Sequence, residues 1–79
     1  MKMTDLPLGR MKEAIVDLPA QFTTLDVVEH PAMADAGRRF GGEPMFRALV
    51  GKQIKRRMGF WKLTELKSGT SRGSVWGKR

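Results

Sequence analysis

The stretch EPMFRALVGKQIKRRM, residues 43–58, decides the fold because it predicts one long helix with two unlike sides. At about 100° per residue, one broad side collects apolar residues that require a core, with Arg57 at its margin. These residues are Phe46, Leu49, Val50, Ile54 and Met58. The opposite side combines small residues with flexible cations: Pro44, Ala48, Gly51, Lys52 and Lys55, flanked by Arg56. Such a surface can approach an anionic partner closely.

The ends of this helix are marked in the sequence. Glu43 and Pro44 favour a start, since proline at the first turn loses no hydrogen bond and an acid there meets the positive end of the helix dipole. Gly59 favours the end. The cations of the last turn, 55–57, stabilise the negative end of the dipole, which explains part of the charge without any partner. Gly51 costs about 1 kcal/mol of helix propensity, which close approach to a partner or to a neighbouring helix would offset.

Charge is divided unevenly along the chain. Residues 1–37 hold three Lys or Arg against six Asp or Glu, whereas residues 38–79 hold twelve against two. A basic half on a small domain indicates first a phosphate backbone, then an anionic membrane surface, then an acidic protein. No segment has the large apolar face and lysine-rich face of an interfacial helix, so we expect no membrane partner.

Length and composition limit the kinds of site. Seventy-nine residues make one domain with a small core, so function is expected on a surface rather than in a deep cleft. The absence of cysteine excludes disulfides and thiolate metal sites and is compatible with a cytoplasmic address. Neither a signal peptide nor a membrane span is predicted.

The first half of the chain predicts an arm and two or three helices. Residues 1–8 read as a flexible arm, and residues 9–79 as a single domain. Over 9–18 the apolar residues recur at helical spacing until Pro19 ends the pattern: Met11, Ala14, Ile15 and Leu18. After a short β-prone fragment at 22–24, Thr23 and Asp26 resemble a capping box, so a helix should begin near Leu25.

Pro31 interrupts this second helix and leaves two interpretations open. It is either a kink or the first residue of a separate piece running from 32 to 40. In both cases apolar contacts come from Val27, Val28, Met33, Ala36 and Phe40. Gly41 and Gly42 are expected to form the turn into the basic helix.

The C-terminal part changes to a strand pattern. Residues 60–66, FWKLTEL, alternate as a strand with one covered face, and residues 74–76 predict a second strand. Residues 67–73, KSGTSRG, have turn composition throughout and predict a long polar tip, and residues 77–79 are left as a tail.

This order of helix, short strand, helix, glycine turn, basic helix and hairpin resembles the winged helix-turn-helix family over about residues 9–78. The resemblance implies an α+β fold of three helices with a C-terminal β-hairpin wing. It also implies that helix 44–58 lies in the major groove while wing 67–73 contacts the backbone. The implied DNA-binding residues are Arg47, Ala48, Gly51, Lys52, Lys55 and Arg56 on the helix, and Lys67, Thr70, Ser71 and Arg72 on the wing.

The resemblance further implies a small transcriptional regulator of the stand-alone kind found in phages and mobile elements, with double-stranded DNA as its partner. One such module buries little surface, so useful affinity calls for a homodimer or tandem sites. Gln53 projects towards the core side, which leaves few residues for reading bases. Two alternatives stay open: a non-specific nucleic-acid binder, RNA included, and a winged-helix adaptor that binds a protein.

The remaining chemistry-bearing residues predict no enzyme, no metal site and no cofactor. His30 precedes a proline and has no second histidine near it, so a surface or capping role is expected. No nucleophile, base and acid can be assembled, and no phosphate-binding GxxxxGK[ST] motif is present. Trp61 is expected in the core, whereas Trp76 could lie in the core or stack on bases.

Overall fold

The computed structural model describes residues 7–39 and 43–79, and its elements follow the sequence in the order α1, β1, α2, a 3-10 turn, α3, α4, β2 and β3. Their bounds are α1 Leu8–Asp17, β1 Gln21–Thr23, α2 Thr24–Glu29, the 3-10 turn Pro31–Met33, α3 Ala34–Arg39, α4 Glu43–Arg57, β2 Leu63–Thr70 and β3 Gly73–Lys78. Most of the predicted arm, the contacts predicted for Phe40 and the predicted glycine turn at 41–42 lie outside the described residues, as do the side chains of Glu43 and Pro44.

The predicted helix 9–18 is confirmed as α1, with a start one residue earlier. Its apolar residues Met11, Ala14 and Ile15 are buried. The helix stops before Pro19, where the Leu18 N–H bonds the carbonyl oxygens of Ala14 and Ile15 at 3.1 and 3.2 Å.

The predicted capping box is confirmed at the start of α2. The Thr23 hydroxyl accepts a hydrogen bond from the Asp26 N–H at 3.2 Å, and the Asp26 carboxylate accepts one from the Thr23 N–H at 2.8 Å. Pro31 separates two pieces rather than bending one helix: α2 ends at Glu29, and Pro31 opens the 3-10 turn that leads into α3. The second of the two interpretations therefore holds.

The sheet is antiparallel and has the order β1-β3-β2, so the last strand in sequence is the central one. Phe22 of β1 faces Trp76 of β3 in the register. The predicted tail is wrong at Gly77 and Lys78, which belong to β3, because β1 supplies a second neighbour for that strand. Lys78 Nζ also donates to the carbonyl oxygens of Val16 and Leu18, at 3.2 and 2.5 Å, and so caps the C-terminal end of α1.

The predicted hairpin is present, but both of its boundaries differ from the prediction. Residues 60–62 form a turn rather than a strand: the Trp61 N–H bonds the Arg57 carbonyl at 2.8 Å, and Lys62 adopts a φ of 57°. The predicted long tip shrinks to Ser71 and Arg72, because residues 67–70 extend β2. Residues of turn composition can form this strand since β2 is an edge strand whose side chains there face water.

The core is assembled from every element around the inner side of α4. Phe46, Val50 and Ile54 are buried as predicted, and Leu49 and Met58 pack at its edge. Gln53 is also buried, and its carbonyl accepts a hydrogen bond of 2.6 Å from Arg57 Nη1. The described residues thus form a small α+β protein of four helices and a three-stranded antiparallel sheet. Within that described part, no helix has the length and apolar character needed to cross a bilayer.

Candidate functional site

An open groove of about 410 Å³ runs between α4 and the hairpin. Its helix side contains every predicted helix residue except Arg56, namely Arg47, Ala48, Gly51, Lys52 and Lys55. Its strand side contains Glu65, Ser68, Gly69, Gly73 and Ser74, and its floor is formed by Thr24 and Trp76. The fold therefore brings most of the predicted helix residues to one surface and places the hairpin beside them.

Thr24, which sequence analysis did not select, holds the floor of this groove together. Its hydroxyl accepts a buried hydrogen bond of 3.0 Å from the Trp76 indole N–H. A Cβ added at Gly51 would lie 3.7 Å from the Thr24 methyl carbon, and one added at Gly73 would lie only 2.8 Å from Thr24 Cβ. An added Cβ at Gly51 would make only an ordinary van der Waals contact, so packing of α4 on α2 does not require glycine there, whereas packing at Gly73 does. No spacing rule points to Thr24, since its partners are remote in sequence.

An acidic residue that was also missed lies within the groove. Glu65 on β2 accepts a 2.8 Å hydrogen bond from the Ser74 hydroxyl and lies 3.7 Å from Lys55 Nζ. The Glu65 side chain is only 21% exposed, so water and salt screen its interaction with Lys55 less than they screen a fully exposed ion pair. Lys55 is thus partly neutralised, and the positive potential of the groove shifts towards Lys52.

The hairpin tip, defined as Ser71 and Arg72, is fastened to two helices. The Arg72 carbonyl accepts a hydrogen bond of 3.1 Å from the Leu25 N–H on α2. The Ser71 carbonyl accepts one of 3.1 Å from Arg47 Nη1 on α4. The predicted wing tip therefore lies against the protein, and Arg47 serves to hold it.

The Arg72 guanidinium is engaged by acids of α2. Its Nη2 lies 2.7 Å from Asp26 Oδ1 and 3.4 Å from Glu29 Oε1. Partial burial raises the pKa of Asp26, but hydrogen bonds from the Thr23 N–H and from Arg72 outweigh it, so the pKa of Asp26 lies below its ordinary value. The same hydrogen bond to Asp26 raises the pKa of Arg72. Neither acid was expected near the predicted wing.

Three predicted cations are exposed and unengaged: Lys52 and Arg56 on α4, and Lys67 on β2. Across residues 7–39 and 43–79, none of their side chains forms an ion pair or hydrogen bond. Lys52 and Arg56 are one helical turn apart, so they lie on the same outward side of α4. Among the predicted site residues, these cations are the charges most available to an external anion.

Thr70, another predicted wing residue, shapes the turn. Its hydroxyl donates to the Gly73 carbonyl and accepts from the Arg72 N–H at 3.2 Å. This side chain therefore closes the turn from within rather than offering its hydroxyl outwards.

The remaining candidates have structural roles. His30 Nδ1 accepts from the Ala32 N–H at 3.1 Å, so its proton lies on Nε2, which donates to Asp17 at 2.8 Å. The capping role predicted for His30 is confirmed. Trp76 is a core residue, whereas Trp61 is only half-buried at the edge of the core. The described residues contain no group of three or more His, Asp or Glu side chains placed to hold a metal ion.

The class that fold and site define is a small α+β protein with an exposed basic helix flanked by a hairpin. Comparisons with protein-family models, with curated proteins and with solved structures gave no match to this chain.

Proposed function

We propose that this chain is a small winged-helix protein that binds double-stranded DNA, with α4 in the major groove. The observation that carries the proposal is the exposed outer face of α4, which we define as Ala48, Lys52, Lys55 and Arg56. This face combines a small residue with cations, so the helix backbone can approach a duplex while the charges neutralise phosphates. The order of the elements, with the basic helix followed directly by a hairpin, supports the same interpretation.

The contacts within the protein divide the basic residues into two groups. Lys52, Arg56 and Lys67 are exposed and unengaged in the described chain, so they would contact the DNA backbone. Arg47 and Arg72 bind the tip to the helices, so they would position the hairpin rather than neutralise phosphates. Action as a transcriptional regulator, and as a homodimer or on tandem sites, extends this proposal because one module of this size buries little DNA surface.

A second candidate, binding without base recognition, is favoured by one observation. Gln53, the helix side chain best suited to a bidentate contact with adenine, is buried and hydrogen-bonded to Arg57. The outer face of α4 is then left with cations, which recognise the phosphate backbone of any duplex. Selection of bound duplexes from a random pool separates the two candidates: an enriched motif supports the regulator, and an unenriched pool supports the general binder.

The test of duplex binding is the salt dependence of affinity. Fluorescence anisotropy with a labelled duplex should show that Lys52→Gln with Arg56→Gln lowers the slope of log K against log salt by about 2, since each lost phosphate contact removes about 0.9. The matched control is Arg10→Gln with Arg38→Gln, which removes the same charge from α1 and α3, outside the groove. Equal slopes in the two double variants would contradict a specific role for α4.

A further inference from the structure

A second surface lies at the base of the hairpin, where the end of α1 meets the turn before β2. It is a depression of about 340 Å³ lined by Lys12, Ile15, Val16, Trp61, Lys62, Leu63, Lys78 and Arg79. It shares no residue with the groove on α4. The eight residues of β2 place this base about 25 Å from the hairpin tip, at about 3.3 Å per residue.

The centre of this surface is apolar and exposed. Val16 on α1 is 69% exposed. The half-buried Trp61 lines the same depression and packs against the core, to which Ile15 and Leu63 belong. Phe60, adjacent in the chain, is 84% exposed. Aliphatic and aromatic side chains grouped at one place on a small domain are characteristic of a protein interaction site.

The rim of this surface is basic. The Lys78 ammonium donates hydrogen bonds to carbonyl oxygens at the end of α1, and Arg79 Nε donates to the Thr64 hydroxyl at 3.1 Å. Lys12 and Lys62 are exposed, and their side chains have no partner in the parts of the chain described. Two unengaged cations therefore flank an apolar centre.

The acids of α1 do not neutralise this rim. Glu13 lies 3.6 Å from Arg10, and Asp17 binds His30. Neither acid lines the depression. The charge of the rim therefore remains available to a partner.

We infer that this surface binds an acidic segment of another protein, with an apolar side chain of that segment covering Val16 and Trp61. Carboxylates on either side of that apolar residue reach Lys12 and Lys62. The exposed aliphatic side chain of Val16 favours a protein over a nucleic acid as the partner. Bases could stack on Trp61, but sugars and phosphates offer no apolar group to cover Val16. Since the two surfaces are separate, the chain can hold an acidic protein while α4 is occupied.

The experiment is selection from a random-peptide phage library on the full chain, followed by NMR titration of the enriched peptides. We expect peptides that combine Asp or Glu with Leu or Phe and that shift the Trp61 indole N–H resonance. The Trp76 indole resonance is the internal control, because that side chain is 1% exposed and hydrogen-bonded to Thr24. Affinity should fall at least about tenfold in Val16→Ser and in Lys12→Gln with Lys62→Asn.

The variants are chosen to keep the fold. Asparagine tolerates the positive φ of Lys62, and Lys12 and Val16 are exposed on α1. An unchanged Trp76 indole resonance in each variant reports an intact core. Arg38→Gln with Arg39→Gln removes the same charge outside this surface and should leave peptide affinity unchanged.

Several outcomes overturn the inference. These are a library without enrichment, enriched peptides that lack acidic and apolar residues, and equal affinity of the peptides for the base variants and the control. A single-stranded oligonucleotide that shifts the Trp61 resonance at lower concentration than the peptides overturns it as well. None of these outcomes depends on duplex binding by α4, so the two proposals fail separately.

Discussion

The outer face of α4 and the hairpin tip both carry positive charge, but they differ in how that charge is paired with acidic side chains of the protein. Lys52 and Arg56 extend from α4 without a partner in the described chain, whereas the Arg72 guanidinium binds Asp26 and Glu29. A basic residue at a hairpin tip is therefore not automatically available to an anion. Here the acids come from α2, a segment that the overall charge distribution marks only as part of the acidic half.

Substitution of Gly73 should have the largest effect on stability, because a side chain at this position would push the hairpin away from Thr24 on α2. Gly73 has a φ of +90°, and an added Cβ would meet Thr24 Cβ at 2.8 Å. Gly73→Ala combines an unfavourable backbone conformation with a clash against backbone-proximal atoms, so we expect a loss of about 3 kcal/mol in the free energy of unfolding. Urea unfolding followed by tryptophan fluorescence measures it.

Gly69 provides the matched control for this prediction. It has a φ of +71°, but nothing lies within 4 Å of an added Cβ. Gly69→Ala should therefore cost only the conformational part, about 1 kcal/mol. If the two variants lost equal stability, contact between Gly73 and Thr24 would not be what fixes the hairpin.

The salt dependence of DNA affinity tests whether Arg72 at the tip contacts phosphate in the way proposed for Arg56 on α4. If Arg72 positions the tip and makes no phosphate contact, Arg72→Gln should leave the slope of log K against log salt unchanged. Arg56→Gln should lower the slope by about 0.9, the value for one phosphate contact. Anisotropy titrations of both variants against one duplex at several salt concentrations measure these slopes. A slope that falls by about 1 in Arg72→Gln would show that Arg72 contacts a phosphate.

The sequence was sufficient for features set by local rules. The existence of α1 and α4 follows from the spacing of apolar residues, and their ends follow to within a residue from Pro19, Pro44 and Gly59. The start of α2 follows from the capping box of Thr23 and Asp26. The buried side of α4 was predicted correctly because one helix was long enough to separate an apolar side from a basic one.

Features set by contacts between distant segments could not be predicted in this way. Residues 67–70 have turn composition and become strand because β3 pairs with them. Gly77 joins β3 because it faces β1 as well as β2, and Lys78 joins it because it pairs with Leu63 of β2. The engagement of Arg72 depends on Asp26, 46 positions away, and the hydrogen bond from Trp76 to Thr24 spans 52. Such partners have no fixed spacing in sequence, so the groove could be predicted only on its helix side.

The smallest expected effect is the pH dependence of stability that comes from the contact between Asp26 and Arg72 at the tip. Because the pKa of Asp26 is lowered in the folded protein, this carboxylate stabilises the fold above about pH 4, its unfolded value, and that contribution is lost as pH falls through the lower folded value. Asp26→Asn keeps an oxygen that can accept from the Thr23 N–H but removes the charge that binds Arg72. Urea unfolding between about pH 2 and pH 6 should therefore show a smaller loss of stability at acid pH in this variant than in the parent chain. Parallel profiles would mean that the contact with Arg72 contributes nothing through charge.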